Sequence, residues 1–253
     1  MKLDAVYLMT FFSVFTRLGT ILMIAPVVGR SVPVPIKAFL SAVIAFALAP
    51  MVAPYMPAVA TNMAEMVAGI GRDVLFGLLI GGCMQLIQST FQITGTLMDF
   101  QLGVSSAQAF NPMIDSVASP LTQFKSMLAT VILLLLDGHH LIFRAFIDSY
   151  HVPVGSIHMD ATMLGQILSL LCRLMLLAVQ IAAPVGGVSI IVDVAAGIIN
   201  KAVPQTQPFL IAMPAKLTFG VLALAFGLPS LVIGVDRSLG FAFGTIHSIL
   251  GMR

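Results

Sequence analysis

The sequence predicts an all-α membrane protein of about six long apolar helices, several kinked or broken, packed as helical hairpins against other helices. Three observations carry this. Hydrophobic residues make up 59% of the 253 residues and charged residues only 9%, against roughly 25% charged in a soluble domain. That leaves too little polar surface to stay dispersed in water. The apolar residues collect into stretches close to the roughly 20 needed to cross a hydrocarbon core. Single ionisable residues interrupt several stretches, and each costs roughly 2.5 to 3.5 kcal/mol at mid-bilayer unless it meets protein or a wet cavity.

The first stretch runs from Ala5 to Pro26 and the second from Ile36 to Val52. Because Arg17 interrupts the first and no small-residue cleavage site follows, it is expected to be a retained helix and not a signal peptide. The third, from Val74 to Met98, contains no charge, and its Gly77 and Gly81 have the GxxxG spacing that lets another backbone approach one face. The fourth, Phe124 to Ile147, contains Asp137, His139 and His140; the fifth, Leu164 to Val192, contains Arg173 and Pro184. Pro184 removes a helix hydrogen bond, so a kink or break is expected there. The sixth, Phe209 to Val235, is entered through a proline-dense run with Pro204, Pro208 and Pro214, so its helix is expected to start late or be interrupted. Lys216 follows closely enough to snorkel without a deep ionic partner. Residues 236–253 read as a short amphipathic tail, and the chain as a single membrane-embedded domain over 1–253.

The net charge of +2 rests on few residues, and no basic run with interleaved aromatics occurs, so nucleic acid is not an expected partner. Cys83 and Cys172 lie in apolar stretches without CxxC spacing and read as inert thiols. With six spans, Lys2, Arg72, Arg144, Arg237 and Arg253 fall on one side and Arg30, Lys37, Lys125 and Lys201 on the other. The positive-inside rule therefore gives no orientation, and partners are expected to impose the final position.

No P-loop, HExxH, GxSxG or GxGxxG occurs, so nothing supports a nucleotide-hydrolysing or familiar hydrolytic enzyme, and no catalytic residue, cofactor or metal is expected. His139 and His140 are adjacent, and neighbours on a helix point apart. A proton-relay or solute site at Asp137–His140 or Arg173 would make the chain a secondary transporter, but no inverted repeat is visible. A helix-end cluster eased by Gly138 is the simpler reading. The segment from Asp99 to Gln123, DFQLGVSSAQAFNPMIDSVASPLTQ, is polar, nearly uncharged and broken by Asn111-Pro112 and Ser119-Pro120. Phe110, Met113 and Ile114 make its middle apolar, and such a tip can close a pore by contact and dewetting. A structured loop without a gating role stays open at this point.

Several segments in order resemble the FliR/SctT family of type III export-gate membrane proteins. They are RLGTILMIAPVVGRSVPVPIKAFLSAVIAFALAP with Arg17, Pro26, Pro33 and Lys37, then LMDFQLGVSSAQAFNP, SPLTQF, DGHHLIFRAFIDSYHVP and PQTQPFLIAMPAKLTFG. Together they cover most of the chain. Asp137 departs from the Asn that often precedes Gly-His in the family, and Gln207 from the Asn of its PQxNxF pattern. The resemblance implies a non-enzymatic gate subunit in the bacterial inner membrane at the flagellar basal body. Its partners would be FliP-like, FliQ-like and FlhB-like subunits, and its cargo unfolded flagellar proteins. An injectisome counterpart is the alternative. It further implies a pore plug at Phe110, Asn111, Pro112, Met113 and Ile114. Assembly and packing roles fall on Arg17, Gly77, Gly81, Asp137, His139, Pro204, Gln205, Phe209, Pro214 and Lys216.

Overall fold

The computed structural model describes residues 5–25, 32–55, 62–104, 120–152, 161–203 and 208–251. Among the described residues there are helices and no strand: α1 (Ala5–Ile24), α2 (Val34–Val52) with a short 3-10 turn after it, α3 (Met63–Leu102), α4 (Pro120–Leu135), α5 (Gly138–Asp148), α6 (Ala161–Ala202), α7 (Pro208–Phe226) and α8 (Leu228–Ile249). Four segments, Tyr7–Ile24, Val34–Tyr55, Met63–Leu102 and Ala161–Ala202, are long and apolar enough to cross a membrane. Two further helix pairs, α4 with α5 and α7 with α8, pass that test jointly and are each bent by more than 40° at a short break, giving up to six spans. The protein is an all-α membrane protein, as its composition predicts.

Boundaries differ from expectation in instructive ways. The third helix is 40 residues long, beginning eleven positions before Val74 and ending four positions into the stretch read as a loop. The fourth stretch is two helices, because Asp137 adopts a left-handed φ of 55°. Aspartate is one of the few residues besides glycine that does so at modest cost. The sixth stretch breaks at Gly227, two residues before Pro229, which cannot donate into the preceding turn. Gly227 closes α7 by donating its N–H to the Ala223 carbonyl at 2.9 Å. The expected tail is the helical second half of α8.

Of the kink or break expected at Pro184, the break does not occur. Pro184 lies inside the uninterrupted α6, where the flanking Ile181, Ala182 and Val185 are buried. An interior proline costs about 3 kcal/mol through the lost hydrogen bond and the ring clash, and the packed residues on both sides offset it. α7 runs through Pro214 in the same way.

The chain forms two compact units: Met1–Ile87 with Leu134–Leu171 and Leu239–Arg253, and Gln88–Leu133 with Cys172–Ser238. The first is centred on Val14, Ile21, Ala45, Ile80, Phe146 and Ile246, and the second on Phe91, Met98, Leu174, Ala178, Val185 and Leu231, all buried. Much apolar surface stays outside: Phe39 is 72% exposed, Met127 73% and Phe226 85%. Such groups are stable only against lipid or other chains.

Candidate functional site

Arg17 sits mid-way along α1, and its side chain is almost wholly enclosed. Its Nη2 lies 2.5 Å from Asp73 Oδ1, and Nε donates to the same oxygen at 3.1 Å. Nη1 donates to Ser149 Oγ at 2.7 Å, and Ser149 Oγ donates to the Phe146 carbonyl at 2.5 Å. Asp73 Oδ2 accepts from Ser13 Oγ. The guanidinium also lies over two rings, with Cζ 4.4 Å from the Phe76 centroid and 3.7 Å from that of Tyr150. Burial pushes the Tyr150 phenol up to about 12, so that ring is neutral at physiological pH. A guanidinium stripped of water is thus supplied with a carboxylate, a hydroxyl and two aromatic faces.

Glycines let α1 and α3 come close enough for this pairing. A Cβ on Gly77 would lie 2.6 Å from Thr20 Cβ and 2.8 Å from the Arg17 carbonyl oxygen. One on Gly81 would lie 3.2 Å from Ile24 Cβ and 3.3 Å from Ile21 Cα. Both therefore face α1, as their spacing predicts. Asp73 was not picked out by the sequence reading, because it fell just outside the expected third span; it is one turn before Gly77 on the same helix face.

In the second unit, the ends of α3 and α4 are fastened together on either side of the segment 105–119. Thr122 Oγ1 donates to Asp99 Oδ2 at 2.6 Å, and both residues are buried. A Cβ on Gly95 would lie 2.6 Å from Thr122 Cα. The last turn of α3 is gripped as well: Gln101 fills the space over Gly186, and Leu102 the space over Gly220.

Lys216 is not the lone snorkelling group expected: its Nζ lies 2.5 Å from Asp193 Oδ1. Arg72, expected just before the third stretch, lies inside α3, and Lys125, near the start of the fourth stretch, is buried within α4. The Asp137 side chain is 73% exposed at the break between α4 and α5 and lies 3.1 Å from His140 Nδ1. The rings of His139 and His140, expected to diverge, have centroids 4.2 Å apart. Phe110, Asn111, Pro112, Met113, Ile114, Pro204 and Gln205 lie outside the described residues. Phe209 is in the first turn of α7. The structure brings Arg17, Gly77 and Gly81 together on the α1–α3 contact, whereas Lys216 and Pro214 belong to the other unit.

Residues 8–241 match the family model described as bacterial export proteins, family 1. The chain belongs to this family. Its relatives among the bacterial export proteins include the flagellar biosynthetic protein FliR of Caulobacter vibrioides, 28% identical over 88% of this chain and 90% of the relative. The Escherichia coli protein of that name is 25% identical over 96% and 94%. That of Bacillus subtilis is 25% identical over 72% and 71%. The resemblance to the FliR type is borne out, and the family membership joins the apolar helices to protein export.

Proposed function

We propose that this chain is a structural, non-catalytic subunit of the flagellar type III export gate in the bacterial inner membrane. In this reading it assembles with FliP-like, FliQ-like and FlhB-like subunits into a gated channel for unfolded flagellar proteins. The observation that carries the proposal is the export-family match over residues 8–241 together with the flagellar names of its relatives. Apolar helix faces left uncovered within the single chain, on α2 and α6 above all, support a need for lipid and partner helices.

The segment holding Phe110, Asn111, Pro112, Met113 and Ile114 is the proposed plug. Support comes from its fastened base: the Asp99–Thr122 hydrogen bond and the Gly95 contact hold the two flanking helices in register. A closure element needs such a base, because a loop with free ends would lose too much entropy on seating. Arg17, buried within the chain, is assigned to internal stiffness of the subunit and not to a partner contact.

Co-expression with the neighbouring membrane-protein genes tests the proposal. Purification in mild detergent and intact-complex mass should return one defined complex containing FliP-like and FliQ-like chains. Recovery of a stable particle of this chain alone would overturn it. Recovery with injectisome subunits would transfer the same architecture to virulence secretion.

A further inference from the structure

We infer that Asp137, His139 and His140, at the break between α4 and α5, bind one divalent transition-metal ion of the zinc class. One ligand atom from each of the three residues lies within 4.8 Å of the others. A tetrahedral zinc ion with bonds of about 2.0 to 2.1 Å holds its ligand atoms roughly 3.4 Å apart. Closing the remaining distance needs side-chain rotation only, and Asp137 and His140 are free to rotate, with side chains 73% and 71% exposed.

The backbone creates this convergence. Asp137, left-handed with φ 55°, turns the chain into α5, and His139 and His140 occupy the first turn of that helix. Asp137 and His140 are three positions apart, on one face, and already touch through Oδ1 and Nδ1 at 3.1 Å. The His139 ring lies against that of His140, with centroids 4.2 Å apart and planes inclined by 35°.

His139 is the anchored member. It is half-buried and lines an apolar cavity with Leu18, Ile142 and Phe146. Its Nδ1 is enclosed without a hydrogen-bond partner, so the chain's own packing leaves one nitrogen of the cluster unsatisfied. Two imidazoles and one carboxylate are a borderline donor set that suits Zn2+, Ni2+ or Co2+, in contrast to the all-oxygen shells of Ca2+ and Mg2+. The Asp137 carboxylate also offsets the positive end of the α5 dipole, which alone would repel a cation. Three protein donors leave one tetrahedral position for water or for a donor from another chain. None of this depends on the export-gate reading.

The test uses the full chain with its co-purifying subunits in detergent, isolated through a tag without histidine and stripped with chelator. Zn2+ alone is titrated calorimetrically. One ion per chain is expected, with affinity weakened at least about tenfold in Asp137→Asn and in His140→Gln, since even outer-shell losses cost about 10- to 100-fold. His247→Gln, outside the cluster, should bind as wild type does. Co2+ provides a readout on the unmodified chain, with visible d–d absorption that excess Zn2+ abolishes. Absence of saturable Zn2+ binding and of Co2+ absorption by the wild-type chain overturns the inference. So does unchanged affinity in both variants, which would show that the cluster is only a hydrogen-bonded helix start.

Discussion

Arg17 and Asp73, 56 residues apart in the chain, share one carboxylate oxygen at 2.5 and 3.1 Å inside the apolar packing of α1 and α3. The contact explains how an arginine is tolerated in a span of otherwise apolar residues. Its charge is matched, each of its three nitrogens donates a hydrogen bond, and its faces are covered by Phe76 and Tyr150.

Breaking the pair should be costly. Asp73→Asn or Arg17→Met each leaves one buried partner unmatched, for which about 3 to 5 kcal/mol is expected. Thermal unfolding in detergent should show a clear loss for both. The double variant Arg17→Met with Asp73→Leu should recover much of it, because no buried charge remains. Single variants as stable as wild type would mean that the junction contributes little.

The two glycines facing α1 should respond differently from glycines in open space. Gly77→Val should force α1 and α3 apart, given a backbone oxygen 2.8 Å from the added Cβ. Gly69→Ala meets nothing within 4 Å and should stabilise α3 by up to about 1 kcal/mol through helix propensity. Thermal denaturation of both, measured side by side, separates packing from propensity; equal responses would contradict the close approach.

For the loop base, Thr122→Val removes the hydroxyl that Asp99 accepts from. If the fastened base serves a plug, cells carrying this variant should leak small ions while the complex still assembles. Deleting Phe110 to Ile114 should leak more strongly. Conductance or dye uptake, read beside complex yield, decides the matter: a tight membrane with both variants would remove the plug from consideration.

Lys216 pairs with an Asp193 whose side chain is 56% exposed. Exposed pairs contribute about 0 to 1 kcal/mol, so Lys216→Ala should shift unfolding far less than Arg17→Met. A loss of equal size would show that lipid or partner chains cover this pair in the assembly.

Much of the architecture was legible because lipid solvent leaves a coarse signal. The six stretches follow from apolar length, whereas the bends at Asp137 and Gly227 that divide two of them do not. Gly77 and Gly81 were legible from spacing, since residues four apart share a helix face. Asp73 and Asp193 were not, because nothing local marks which carboxylate a given cation will meet. A related reason keeps α6 unbroken at Pro184. A proline's local cost is fixed, while the packing that opposes it at Pro184 comes from residues distant in the chain.

By itself, then, the sequence determined the solvent, the helical class and the export-family character of this protein, because composition and motif order need no knowledge of contacts. Tertiary structure alone decided the partners of Arg17 and Lys216 and the fastening of Asp99 to Thr122. Each of these depends on backbone breaks and helix approaches set by packing over the whole unit. Short-range propensity cannot encode a distance between residues that meet only after folding.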